Sequence, residues 1–75
     1  MICEVIVDVM NHKVNRPFDY LIPDNLSFVE VGSRVLVPFG PRRLLGFIVK
    51  IKEKSEYPNL KSIIRVLDVV PAINP

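Results

Sequence analysis

A single cysteine, Cys3, rules out any internal disulfide, and a single histidine, His12, rules out a metal site built from cysteine and histidine alone. Nothing basic flanks Cys3 to draw out a thiolate, so it reads as a small buried hydrophobe. His12 falls in a polar stretch and receives no role. Nucleophilic catalysis is poorly supplied, because Ser27, Ser33, Ser55 and Ser62 lie in no elbow motif and one histidine must serve any triad. The three glycines, Gly32, Gly40 and Gly46, are too scattered to cradle a phosphate in one loop. Apolar stretches such as Leu44 to Val49 fall far short of a membrane span. The start carries Glu4 and Asp8 inside its apolar run and lacks a basic leader, which argues against a secretory signal. These absences exclude most enzyme classes and make a binding module the default.

What is present is apolar content, 49% of 75 residues, patterned with period two and punctuated by seven prolines. That share of apolar residues, with a net charge of only +2, is incompatible with a disordered chain. From Ile2 to Met10, Cys3, Val5, Val7 and Val9 fall on one face against Glu4 and Asp8, the pattern of a half-buried strand. Asn11 to Arg16 reads as a polar loop. Pro17 and Pro23 bracket a short strand, Phe18 to Ile22, with Phe18, Tyr20 and Ile22 on one side. Pro23-Asp24-Asn25 is turn chemistry, and a tight turn follows Val29 to Gly32. In a third strand, Arg34 to Phe39, Val35, Val37 and Phe39 alternate inward, and Pro38 marks an edge or an early end. Gly40-Pro41-Arg42-Arg43 signals a hairpin into a fourth strand, Leu44 to Lys52. There Leu45, Phe47, Val49 and Ile51 are expected inward, Lys50 and Lys52 outward, and Gly46 at a bulge or a close approach. A polar connection, Glu53 to Leu60, broken at Pro58, precedes a last strand from Ser62 to Val70. About five strands without helical periodicity predict an all-β domain over residues 1–75, a small antiparallel barrel or curled sheet. Asn74-Pro75 reads as the cap and first turn of a following helix, and so as a boundary within a longer chain.

Charge is unevenly spread. Residues 1–33 set Lys13 and Arg16 against Glu4, Asp8, Asp19, Asp24 and Glu30, leaving −3. Residues 34–54 set Arg34, Arg42, Arg43, Lys50, Lys52 and Lys54 against Glu53, leaving +5. A basic hairpin of this kind suits a polyanion, and equally a solvated edge that resists sheet-to-sheet association.

Two segments carry binding chemistry. In Phe18-Asp19-Tyr20 a carboxylate stands between two aromatics, an acceptor beside surfaces on which a base can stack. The plainer reading puts both rings in the core and Asp19 in solvent, and strand alternation keeps Asp19 off the face the rings share. Val37-Pro38-Phe39-Gly40, followed by Pro41, places a glycine at the mouth of a hairpin, where a ligand can approach the main chain or where a turn merely needs positive φ. Lys61, Arg42 and Arg43 are available for phosphate.

Phe-Asp-Tyr-Leu-Ile-Pro at 18–23, Val-Gly-Ser-Arg-Val-Leu-Val-Pro-Phe-Gly at 31–40, Gly-Phe-Ile-Val at 46–49 and Leu-Lys-Ser-Ile-Ile-Arg-Val-Leu-Asp at 60–68 carry a resemblance. In this order, over about Val5 to Pro71, they resemble the N-terminal 3′-DNA-binding domain of the bacterial primosomal protein N′ family, the PriA replication-restart helicases. The resemblance implies sequence-independent capture of the 3′ end of the nascent leading strand at a stalled fork. Its binding positions map here to Phe18, Asp19, Gly40 and Lys61; beside them the residues themselves offer Tyr20, Arg42 and Arg43 as candidates for support or phosphate contact. The hairpin at Pro41-Arg42-Arg43 varies in the family, which leaves those two arginines unassigned. The resemblance also implies a cytoplasmic, nucleoid-associated parent with an ATP- and magnesium-dependent helicase core and structural zinc. Neither motif set occurs in these residues, so this segment is expected to be no enzyme and to hold no cofactor. Primosome proteins and single-stranded DNA-binding protein are the implied protein partners. Two rival readings stand beside this one. One is a small β-barrel protein-interaction or inter-domain docking module using Ile6, Leu36 and Leu44 as exposed apolar positions. The other is an RNA-binding barrel.

Overall fold

The computed structural model describes residues 1–9, 12–13 and 16–67. Six strands follow in chain order: β1 (Ile2–Val9), β2 (His12–Lys13), β3 (Phe18–Leu21), β4 (Arg34–Phe39), β5 (Arg42–Lys52) and β6 (Arg65–Val66). A single 3-10 turn, Asp24–Leu26, lies between β3 and β4. Every strand pairing is antiparallel. β1 lies centrally, with β5 along one edge and both β2 and β3 along the other. β4 follows β5, and β6 follows β4.

The result is a curled sheet rather than a barrel closed by a continuous ladder. Residues 61–67 run between its two margins. On one side the Leu21 amide donates to the Lys61 carbonyl (2.8 Å), and the Ile63 amide donates to the Leu21 carbonyl (3.1 Å). On the other, the Ile64 and Leu67 amides donate to the carbonyls of Leu36 and Arg34, at 2.7 and 2.8 Å. These bonds satisfy backbone groups that two sheet edges otherwise leave to water.

Alternation built the core where it was expected on β1, β3 and β4. Cys3, Val5 and Val7 are fully buried, as are Val35 and Val37, while Tyr20 and Ile22 are nearly so. Burial pushes the Cys3 thiol up to about 11, consistent with a packing role. Pro38 sits where β6, which pairs only Val35 and Leu36, does not reach, so its missing amide breaks no ladder bond there.

β5 departs from expectation. It begins at Arg42, two residues early, and its inward face runs through Gly46 and Ile48, leaving Leu45 and Val49 exposed. The cause is Gly46, which pairs Val7 on one side and Val35 on the other. A Cβ there would lie 2.5 Å from the Ile6 carbonyl oxygen and 2.7 Å from a Val5 methyl. Gly46 is thus the close-approach site, and the bulge falls later. Glu4 pairs Lys50 while Val5 pairs Ile48, so Val49 is the extra residue, and it returns Ile51 to the core side.

Smaller differences follow the same logic. His12–Lys13, expected in a loop, pairs with Asp8 and Val9 as β2. β3 ends at Leu21, one residue before the expected Ile22. The last strand contracts to Arg65–Val66 with an isolated bridge at Ser62. Met10, Asp68 to Val70 and the expected cap at Asn74-Pro75 lie outside the described residues. Ile6, Leu36 and Leu44, the positions of the docking reading, are half-buried.

Candidate nucleic-acid interface

Where β3 and the end of β4 draw apart, the curled sheet leaves a concavity of about 340 Å³, walled by residues 16–20, 38–40 and 57–61. Phe18, Asp19, Tyr20, Gly40 and Lys61, drawn from three separate segments, all line it. Arg42 and Arg43 are exposed on β5 just beyond the turn and do not.

Local chemistry places each residue. Phe39 pairs Arg42, so Gly40-Pro41 is a two-residue hairpin loop, and Gly40 takes φ +61° as its first residue. Nothing lies within 4 Å of where a Gly40 Cβ would stand, so bare main chain faces the opening. Phe18 meets Phe39 edge to face, with centroids 5.1 Å apart, and the Arg16 guanidinium lies 4.9 Å from the Phe18 ring centre. The Tyr20 hydroxyl donates to the Pro38 carbonyl at 2.7 Å, tying β3 to β4 across the cavity floor. Burial, with the nearby Cys3, raises the Tyr20 phenol above its ordinary value and keeps it a donor. Lys61 is exposed, its backbone held by the bond from Leu21.

Asp19 departs from the solvent-facing carboxylate that alternation alone predicts. Its side chain is 7% exposed. Lys52 Nζ lies 3.0 Å from Oδ2, and the Ser55 hydroxyl donates to the same oxygen. Burial pushes the carboxyl up, but the Ser55 and Lys52 hydrogen bonds and the Lys52 charge outweigh it and hold the group below the usual carboxylate range. Asp19 is therefore ionised at neutral pH. Both contacts engage Oδ2, and Oδ1 meets no hydrogen-bond or ion-pair partner among the described residues. Asp19 also borders a second concavity of about 670 Å³ with Glu4, Lys52, Lys54 and Ser55. It stands at the ridge between the two.

Sequence reasoning missed several contributors. Arg16 and Tyr57 line both concavities, and Tyr57 is 56% exposed at the rim. The segment from Tyr57 to Leu60, read as a plain connection, supplies a whole wall; an aromatic next to Pro58 in a polar run was its signal. Lys52, assigned to water, is an internal partner of Asp19. Among the described residues, no group of three or more His, Cys, Asp or Glu is placed to hold a metal ion. No helix among them is long and apolar enough to cross a membrane.

The site so built is an ionised acceptor beside aromatic surface, exposed main chain and the cations Arg16 and Lys61. Comparison with known proteins agrees with the chemistry. The family described as 3′DNA-binding domain (3′BD) matches residues 4–75. The Replication restart protein PriA of Bacillus subtilis is 45% identical over 73 residues, covering 93% of this chain and 9% of the relative. That of Haemophilus influenzae is 40% identical over 62 residues, covering 80% of this chain and 8% of the relative. The chain thus spans less than a tenth of the length of these relatives, and it belongs to the 3′-DNA-binding domain family of the PriA replication restart proteins.

Proposed function

We propose that this domain captures the 3′ end of a DNA strand, without reading sequence, by accepting a hydrogen bond from the terminal hydroxyl at Asp19. One observation carries the reading: Phe18 and Asp19, Gly40 and Lys61, from three segments distant in sequence, converge on one nucleotide-scale cavity. A carboxylate repels phosphodiesters, so it suits a place where the strand stops and a hydroxyl donor replaces the next phosphate. Phe18 shapes the wall, Gly40 admits the ligand to the main chain, and Lys61 reaches the phosphate on the 5′ side of the terminal sugar. Tyr57 at the rim offers a stacking surface that tolerates any base. In a full-length restart protein the domain would present the nascent leading-strand end at a stalled fork to an ATP-driven helicase core. It would do so in the cytoplasm at the nucleoid, beside primosome proteins and single-stranded DNA-binding protein.

The test is titration of one labelled strand ending either in a 3′-hydroxyl or in a 3′-phosphate. The hydroxyl end binds more tightly, and equal affinities would remove the end-recognition claim. Asp19→Ala should weaken hydroxyl-end binding about tenfold to hundredfold, the worth of a hydrogen bond to a charged acceptor, with little effect on the blocked end.

A further inference from the structure

β-Pairing sets Asp19 directly opposite Glu4, so two carboxylates share one face of the sheet. Like charges so placed repel, and an unrestrained Asp19 would turn away from its neighbour. Lys52 pairs Ile2, two positions along β1 from Glu4, which makes it a diagonal neighbour within reach of a long side chain. Its Nζ sits between the two acids, 2.9 Å from Glu4 Oε2 and 3.0 Å from Asp19 Oδ2. Those two hydrogen bonds hold the ammonium above the ordinary lysine value.

Ser55 completes the arrangement from the other side. Its hydroxyl donates to Asp19 Oδ2 and accepts the Tyr57 amide at 3.1 Å. The same oxygen of Asp19 is therefore fixed twice, by Lys52 at the end of β5 and by Ser55, two residues before the segment that walls the cavity. Among the described residues the opposite oxygen is left as an acceptor, and the wall that begins at Tyr57 is anchored through Ser55 to the carboxylate beside it.

We infer that Lys52, with Ser55, is a positioning residue for strand-end recognition: it ties down Oδ2 of Asp19 so that Oδ1 meets the terminal hydroxyl. This rests on the end-binding reading and adds a determinant outside the binding cavity itself, since neither Lys52 nor Ser55 lines it. Glu4 serves as the counter-anchor that fixes the Lys52 ammonium.

The experiment compares the 75-residue chain on one strand ending in a 3′-hydroxyl or in a 2′,3′-dideoxy sugar. This pair differs by one donor and no charge. The unaltered chain should favour the hydroxyl end by about tenfold or more. In Lys52→Met that preference should fall to about twofold or less while dideoxy-end affinity barely moves, and Lys52→Arg should restore most of it. A merely structural lysine would weaken both ends alike and leave their ratio intact. Lys52→Met retaining the full preference overturns the inference alone. An unaltered chain without preference overturns the end-binding reading, and the inference with it. Should Lys52→Met fail to give a folded circular dichroism spectrum, Ser55→Ala decides, since it removes the second Oδ2 contact without changing charge. A reduced preference then supports the clamp, and an unchanged one overturns it.

Discussion

Across β1, β5, β4 and β6, one row of paired positions reads Val7, Gly46, Val35 and Val66, all buried. At the β3 margin the corresponding positions read Glu4 and Asp19, bridged by Lys52 at the lip of a cavity. The aliphatic row excludes water, and each buried valine contributes roughly 1.5 kcal/mol or more to the folded state. The ionic group gives little such return, because water screens an ion pair at the margin and ordering its long side chains offsets the attraction. It gives direction instead, holding one oxygen and leaving another as acceptor. Under the proposed function, stability and recognition therefore rest on neighbouring strands with different kinds of interaction, and substitutions should separate them.

The largest expected effect is at Gly46. An alanine methyl there must displace Ile6 backbone and a Val5 side chain, neither of them a flexible chain end. Gly46→Ala should cost about 3 kcal/mol in urea unfolding, the upper range for overpacking. The molecules that stay folded should keep the hydroxyl-over-phosphate preference. Loss of that preference in folded protein would show that the central row also shapes the end site. Tyr20→Phe comes next, because Tyr20 belongs to both regions. Its ring lies in the core and its hydroxyl closes the cavity floor on Pro38. The expected cost is about 1 kcal/mol for the lost hydrogen bond, with a partial loss of end preference as the floor loosens. A change in stability with no change in preference would move Tyr20 wholly into the core.

How much of this was legible in the sequence follows from which forces act locally. Alternation in Cys3-Glu4-Val5-Asp8 and in Val35-Val37-Phe39 reports directly on which face meets water, and the structure follows it. β5 ran against it, because six apolar residues from Leu44 to Ile51 suit either face and steric closeness at Gly46 decided the phase. The family motif located Phe18, Asp19, Gly40 and Lys61, and their convergence depends on how far the sheet curls. Lys52 and Ser55 were hidden for a similar reason. A lysine beside Lys50 on an apparent outer face looks solvated until Glu4 and Asp19 are found paired across the same rows. Long-range register, not residue type, carries that information.

The smallest expected effect concerns the basic hairpin, the feature that composition made most conspicuous. Arg42 and Arg43 lie one and two residues past the turn, exposed, and the cavity draws its cations from Arg16 and Lys61 instead. Their field can attract a strand, but under the proposed function the discrimination between a hydroxyl and a phosphate at its terminus falls to Asp19. Replacing both arginines with alanine should leave that ratio unchanged. The slope of log affinity against log salt should become shallower by at most about 1.4, the value for two single-strand phosphate contacts. Measured titrations from low to moderate salt separate these outcomes. If the double variant instead erased the preference, the hairpin would belong to the end site, and the division between a steering surface and a reading edge would fail.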